Sequence, residues 1–198
     1  MKHLVQKQLA QSIATMQATL ADLHVADTIS TIAELTANAM LAGRKLMAAG
    51  NGGSAADAQH LVAEFVVRLS GNHPALPAMA LTTDSSILTA AANDFSFDCV
   101  FARQIEALGQ PGDIFLGIST SGNSKNILQA VQQAKEMKLI TIGFTGNGGG
   151  MMRELCDHNV IIPSNITMNI QECHLALEHI FCMAVERFYF GDALEGTR

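Results

Sequence analysis

Basic residues are scarce in this chain. Twelve Lys and Arg, scattered singly, stand against eighteen Asp and Glu in 198 residues, for a formal net charge of −6. A nucleic-acid surface needs a basic stripe, so nucleic acid is excluded as a partner. Cysteine is sparse as well. Cys99, Cys156, Cys173 and Cys182 make no CxxC pair and no short framework, which is the pattern of buried, reduced thiols in a cytoplasmic protein. No run approaches the roughly 18 apolar residues of a membrane span, and Met1-Lys2-His3-Leu4-Val5-Gln6-Lys7-Gln8 lacks the apolar stretch of a signal peptide. Tryptophan is absent, whereas methionine numbers ten, which points to helix-rich packing and buried subunit contacts. These absences leave a soluble, cytoplasmic, globular chain with no membrane partner. One domain spanning 1–198 is expected, 48% hydrophobic and 15% charged, with enough length to bury a core.

A helix is predicted over 2–23, where Leu4, Leu9, Ile13, Met16, Leu20 and Leu23 recur at helical spacing. A second is predicted from a cap at Asp27 through Ile29, Ile32, Leu35 and Met40 to a stop at Gly43. Together they form an N-terminal helical hairpin over 1–43 whose apolar stripe has little of its own chain to cover it, so subunit packing is expected there. From 44 to 198 the chain alternates. Short apolar strands at 46–49, 79–82, 114–118, 140–144 and 160–162 are separated by helices at 54–69, 85–92 with 97–108, 124–137 and 150–156. A last helix covers 170–190, with Leu175, Ile180, Met183 and Val185 marking its core side. The alternation predicts an α/β core, a five-stranded parallel sheet covered on both faces. Such folds bind ligands at the carboxyl ends of their strands.

The loops after the strands are therefore the places for chemistry. Gly50-Asn51-Gly52-Gly53-Ser54 follows the first strand and opens a helix; its glycines allow close backbone approach, and the helix start offers free N–H groups to an anion. Its spacing is not GxGxxG and no GxxxxGK occurs, which argues against nucleoside triphosphate hydrolysis. His60 and Glu64 lie one turn apart on the helix that follows, so both project from one face as an acid/base or metal pair. Ser119-Thr120-Ser121-Gly122-Asn123-Ser124 sits between a strand and a helix. Hydroxyls and N–H groups at a helix start hold a phosphate without Lys or Arg, and this is the better phosphate site of the two loops. Asn93-Asp94 follows the second strand past a short helix, and a glycine run at 146–150 connects the fourth strand onward. On the last helix Gln171, His174, Glu178 and His179 place polar groups on an otherwise apolar segment. Buried histidines there need partners, since an unpaired buried polar group costs about 1–3 kcal/mol. His174 and Glu178, a second i,i+4 pair, are read as a supporting or surface pair.

Gly50-Asn51-Gly52-Gly53-Ser54, His60 with Glu64, Asn93-Asp94, Gly117-Ile118 running into Ser119–Ser124, and Ile170-Gln171-Glu172 with His179 together resemble the sugar isomerase (SIS) domain family, and within it the bacterial phosphoheptose isomerases. The resemblance covers nearly the whole chain. It implies a three-layer, doubly wound, flavodoxin-like fold and isomerisation of D-sedoheptulose 7-phosphate to D-glycero-D-manno-heptose 7-phosphate. That reaction is the first step towards the ADP-heptose of lipopolysaccharide cores. It further implies a homotetramer with active sites at subunit interfaces, and a zinc ion on His60, Glu64, Gln171 and His179. Contacts to the phosphorylated seven-carbon sugar would come from Asn51, Gly52, Gly53, Glu64, Asn93, Asp94, Ser119, Thr120, Ser121, Ser124 and Gln171. Glu64 and His179 would be the acid/base pair, with Asn51 to Gly53 on the sugar oxygens.

One departure stands out: Asn169 occupies the position directly before Ile-Gln-Glu where an Arg is expected. The spacing of the implied ligands also carries information. Gln171 and His179 are eight residues apart, about 12 Å along a helix, too far for one straight helix to offer both to one ion. Either the helix begins after Gln171 or the ligands come from different subunits, and a shared interface site is expected. Two other readings compete. A non-catalytic tetrameric SIS adaptor that binds a replication initiator would keep the loops and lose the acid/base residues, all of which remain here. An isomerase of another sugar phosphate, such as a pentose phosphate, would bind the phosphate in the same way.

Overall fold

A computed structural model describes residues 1–191. Two helices, α1 (Lys2–Ala21) and α2 (Leu23–Leu41), precede β1 (Leu46–Gly50) and α3 (Gly53–Val66). There follow β2 (Ala78–Ala80), α4 (Ser85–Asp94), a 3-10 turn at Phe97–Cys99, α5 (Ala102–Leu108), β3 (Ile114–Ser119) and α6 (Lys125–Glu136). The chain closes with β4 (Ile140–Thr145), α7 (Met152–Leu155), β5 (His158–Ile161) and α8 (Thr167–Phe190). The sheet is parallel throughout, in the order β2-β1-β3-β4-β5. This is the expected doubly wound α/β architecture with its N-terminal helices. From β1 the chain steps outward to β2, then returns to β3 on the other side, so the topological switch point lies between β1 and β3.

The strands read as unbroken apolar runs because both faces are covered. Leu46, Ala48, Leu116, Ile118, Ile142 and Phe144 join one core with Ile32 of α2, Leu61 and Phe65 of α3, and Phe181 and Val185 of α8. Met47, Ala49 and Phe115 join the other, with Ile105 of α5, Ile127 and Val131 of α6 and Met152 of α7. The four cysteines are unpaired thiols, three of them buried. No helix among the described residues is long and apolar enough to cross a membrane.

The sequence-based expectations for the helices need three corrections. The carboxylate of Asp22, not Asp27, caps α2 by accepting from His24 N at 3.0 Å, so the turn between the first helices falls five residues earlier. The hairpin's apolar stripe is also covered on one helix: Ile29, Ile32 and Met40 of α2 are buried in the core, and only the stripe of α1 is left uncovered by its own chain. Helix α1 sits on α8 by its polar side: Gln8 Nε2 donates to Asn169 Oδ1 at 3.0 Å, Asn169 Nδ2 donates to Thr15 Oγ1 at 3.3 Å, and Thr19 Oγ1 approaches Cys173 Sγ at 3.8 Å. Asn169, in the position where an Arg was expected, is thereby buried against α1, while Leu9 (59%) and Ile13 (58%) stay exposed. The third correction concerns α8, where Leu175, Ile180 and Met183 face outward. Its buried side carries Ile170, Cys173, His174, Leu177, Glu178, Phe181, Cys182, Val185 and Glu186.

Glu186 explains how polar residues come to lie inside. Its buried carboxylate accepts from Leu69 N (3.2 Å), Ser70 N (3.3 Å) and Ser70 Oγ, and meets His73 Nε2 at 2.9 Å. The His73 ring stacks on Phe190, centroids 5.0 Å apart. The loop leaving α3 is thus fastened to the end of α8 by the backbone N–H groups of Leu69 and Ser70. Glu186→Ala orphans those donors and the histidine together, and a loss of about 3 kcal/mol in unfolding free energy is expected. Urea denaturation would measure it, and wild-type stability in the variant would contradict this role.

Candidate active site

The site is built where β1 and β3 end side by side, Gly50 in register with Ile118. After β1 the chain turns through Asn51 and Gly52, whose φ of +56° suits glycine, into the first turn of α3. A Cβ on Gly53 would overlap Gln171 Nε2. The lack of a side chain is what lets α3 begin against the start of α8. From there the two helices run alongside in the same direction. Cys182 Sγ reaches Leu61 O at 3.9 Å, and Phe65 meets Phe181 edge to face with centroids 5.8 Å apart.

This pairing brings His60 of α3 to His179 of α8. Their Nε2 atoms face each other at 2.7 Å, with the rings 75° apart. Glu64 Oε1 lies 3.4 Å from His60 Nε2, and one ligand atom from each of the three residues falls within 4.8 Å of the others. Two imidazole nitrogens at that separation cannot both present lone pairs; a proton or a cation must sit between them. The His60 side chain is 41% exposed and that of Glu64 16%, so the group opens to solvent on one side. Two imidazoles and a carboxylate are a donor set that suits zinc.

Gln171 and His179 lie on one helix. Helix α8 is continuous from Thr167, two turns of helix separate Gln171 from His179, and Gln171 lies against Gly53. A helix beginning only after Gln171 is therefore ruled out. Asn93 and Asp94 are in the last turn of α4 rather than in a loop. Both are exposed, and their side-chain hydrogen bond, Asn93 Nδ2 to Asp94 Oδ1 at 2.8 Å, is with each other and with neither glycine nor serine loop.

The serine loop is pre-shaped. Ser119 Oγ and Ser124 Oγ are 2.9 Å apart, Gly122 N donates to Ser119 O at 2.9 Å, and Asn123 Nδ2 donates to Ser121 O at 2.9 Å. Ser124 precedes α6 without a side-chain cap; of the first-turn N–H groups Ile127 N is taken by Asn126 Oδ1, while those of Lys125 and Asn126 have no partner among the described residues. The glycine run at 146–150, taken from sequence as a mere connection, supports this loop from behind. Gly146 N donates to Thr120 O (3.1 Å), Met152 N to Gly122 O (3.0 Å) and Met151 N to Asn123 Oδ1 (3.0 Å). Gly122 has φ +65°, and a Cβ there would overlap Gly149 O. Asn126, overlooked in the sequence, joins the two site loops through a reciprocal amide pair with Asn51.

His174 and Glu178 are not a surface pair: both are fully buried. His174 Nε2 donates to Thr145 O at 3.1 Å. Burial pushes this imidazole down to about 4, against the upward pull of the Thr145 hydrogen bond. Burial pushes the Glu178 carboxyl up to about 8, with the charge of Asp57 adding to the effect. Burial likewise raises Asp57, opposed by His60. Neither Glu178 carboxylate oxygen, nor Asp57 Oδ2, nor His174 Nδ1 has a hydrogen-bond partner among the described residues.

A parallel sheet with a hydroxyl-rich loop and a helix start at its switch point is an arrangement that suits an anionic ligand. The SIS domain model matches residues 9–146, and the chain belongs to the SIS domain family. Within it the similarity narrows to phosphoheptose isomerases. The phosphoheptose isomerase of Burkholderia pseudomallei is 50% identical over 183 residues, covering 92% of this chain and 93% of that protein. That of Clostridium acetobutylicum is 44% identical over 195 residues, covering 98% of this chain and 100% of that protein. The solved phosphoheptose isomerase from Neisseria gonorrhoeae superposes with a TM-score of 0.88 at 40% identity, covering 93% of this chain and 98% of the other.

The two buried groups oppose each other with pH. Folded Glu178 keeps its proton where the unfolded chain, near 4.5, has lost it, so its contribution declines as pH rises from about 4.5 to about 8. Folded His174 stays neutral where the unfolded chain, near 6.5, takes a proton, so its contribution declines as pH falls from 6.5 to about 4. Above pH 6.5 only the Glu178 effect remains of the two. In metal-free protein, Glu178→Gln is expected to flatten the fall in melting temperature between pH 6.5 and 8. Parallel melting curves for variant and wild type would contradict a buried, protonated Glu178.

Proposed function

We propose that this isomerase converts D-sedoheptulose 7-phosphate to D-glycero-D-manno-heptose 7-phosphate in the cytoplasm, as the first step towards ADP-heptose. The observation that carries the reading is the convergence of His60, Glu64 and His179 at one opening. A SIS adaptor without catalysis has no use for such a set. The relatives' names support the seven-carbon substrate, and a shorter sugar phosphate is the reading that competes.

In this reading the phosphate rests on Ser119, Thr120, Ser121 and Ser124 and on the open N–H groups of α6, where the helix dipole favours an anion. Asn51, Gly52 and Gly53 hold the sugar oxygens. Ketose-to-aldose conversion moves a proton from C1 to C2 while the carbonyl passes from C2 to C1 through an enediol. Glu64 takes the C1 proton and returns it at C2, and His179 handles the oxygen protons and ring opening. His60, Glu64, Gln171 and His179 would hold Zn²⁺, which when bound supplies Lewis-acid stabilisation of the negative charge on the carbonyl oxygen. A cation also weakens a carboxylate as a base, so the two duties of Glu64 compete.

Three features support a homotetramer with shared sites. The apolar stripe of α1 is exposed, Gln171 stands two turns from His179 on one continuous helix, and Asn93 and Asp94 are exposed with their side chains hydrogen-bonded to each other. Gln171, Asn93 and Asp94 would then serve a site completed by a neighbouring subunit.

Purified protein should isomerise sedoheptulose 7-phosphate, lose activity to a chelator and regain it with zinc. Absence of conversion with zinc present would favour the adaptor or another sugar phosphate. Glu64→Gln should lower kcat by about 10²–10⁴-fold, and near wild-type turnover would remove Glu64 as the base. Leu9→Glu with Ile13→Glu should dissociate the assembly in sedimentation and lower activity together. A monomer with full activity and bound metal would contradict the shared site.

A further inference from the structure

Asn126 is the second residue of α6 and only 3% exposed, while Asn51 is the first residue after β1. Their elements leave adjacent strands at the switch point of the sheet, where the two connections diverge and open the crevice that receives ligands in such folds. Across that crevice the two side-chain amides pair reciprocally. Asn51 Nδ2 donates to Asn126 Oδ1 at 2.9 Å, and Asn126 Nδ2 donates to Asn51 Oδ1 at 2.8 Å.

A third bond fixes which way round the pair sits. Ile127 N donates to Asn126 Oδ1 at 3.0 Å. A backbone N–H only donates, so the Asn126 atom that meets it is the oxygen, and the assignment of both amides follows. Turning the Asn126 amide over would set its NH₂ group against the Ile127 N–H. Turning that of Asn51 would set NH₂ against NH₂ and oxygen against oxygen. With its oxygen accepting twice, Asn126 has no acceptor left. Asn51 retains one N–H and one lone pair, a donor beside an acceptor, which matches a sugar hydroxyl that both gives and takes a hydrogen bond.

We propose that Asn126 is a positioning residue: it locks the amide of Asn51 so that the same N–H and the same carbonyl oxygen always meet the sugar hydroxyls. The proposal rests on the reading that Asn51 contacts the sugar. In it, the start of the phosphate-binding helix also dictates the hydrogen-bond polarity at the sugar end of the crevice.

The test compares Asn126→Ala, Asn126→Asp, Asn51→Ala and the double Asn51→Ala/Asn126→Ala variant with wild type in the complete protein. KM and kcat for sedoheptulose 7-phosphate, melting temperature, and the ¹⁵N side-chain amide resonances of Asn51 would be followed. Asn126→Asp keeps the acceptor for Ile127 N–H but loses the donor to Asn51, so it separates amide orientation from helix integrity. Both Asn126 variants should raise KM about tenfold, the worth of one well-placed hydrogen bond, with a smaller change in kcat. The double variant should be no worse than Asn51→Ala alone, and the Asn51 amide resonances should move in both Asn126 variants. A melting-temperature loss with unchanged KM, or effects that multiply in the double variant, would overturn the proposal. If wild type does not convert sedoheptulose 7-phosphate, the functional reading fails by itself. The spectrum then decides: Asn51 resonances unmoved in a folded Asn126→Asp protein overturn the positioning role, and displaced resonances support it.

Discussion

The side-by-side packing of α3 on α8 is the constraint on which the site depends. It is fixed at both ends. At the start, the absent side chain of Gly53 admits Gln171; at the finish, the Glu186 carboxylate gathers the backbone N–H groups of Leu69 and Ser70. Between these anchors the register leaves no freedom: Leu61 meets Cys182, Phe65 meets Phe181, and His60 is delivered onto His179. Slippage by one residue rotates a helix by about 100°, given 3.6 residues per turn, and would separate the two imidazoles. The geometry of the His60–Glu64–His179 group is therefore a property of helix packing, and its anchors lie at the two ends of the helix pair.

The other half of the site follows from topology. Because β1 and β3 are neighbours whose connections diverge, the glycine loop and the serine loop face a common crevice without any long insertion. In the proposed function the serine loop would need no Lys or Arg, as hydroxyls, free N–H groups and a helix dipole can stabilise an anion between them. Such a cradle works only if it is held in shape, since mobile hydroxyls would turn towards water. The backing by the 146–150 glycine run and the two residues after it supplies that stiffness, through backbone hydrogen bonds from Gly146, Met151 and Met152 and the close approach of Gly149 to Gly122. The Asn51–Asn126 pair does the same across the crevice.

How far the sequence could be read tracks how local each signal is. The sheet was legible because strands buried on both faces are apolar throughout, and the alternation with helices dictates a parallel order. The loops at the carboxyl ends were legible for the same reason. The inner face of α8 was not, because apolar residues occur all around that helix. Leu175, Ile180 and Met183 imitate a core stripe while His174, Glu178 and Glu186 hold the interior. Nothing local marks Glu186 either, since its partners, on Leu69, Ser70 and His73, lie well over a hundred positions away. The turn between the first two helices was placed too late because Asp27 resembles a cap; the carboxylate that meets a free N–H at the helix start is that of Asp22. Asn126 looked like any polar residue in the first turn of a helix, and its partner could be known only once β1 and β3 were seen to be adjacent.

The placement of polar and apolar groups on α1 links fold to assembly. A helix with one apolar stripe ordinarily turns that stripe to its own core. Here the reverse holds: Gln8, Thr15 and Thr19 are the groups α1 applies to Asn169 and Cys173 of α8, and Leu9 and Ile13 are left outside. Polar contact with α8 aligns α1 without consuming its apolar area, which stays exposed. The proposed shared site gives the arrangement a purpose. The same α8 that α1 grips carries Gln171 near its start and His179 two turns later. A partner docked on the N-terminal helices would thus be positioned relative to the helix that supplies both side chains. Association and catalysis would then draw on one rigid element, and a change that loosens the grip of α1 on Asn169 would be felt at the opening of the site.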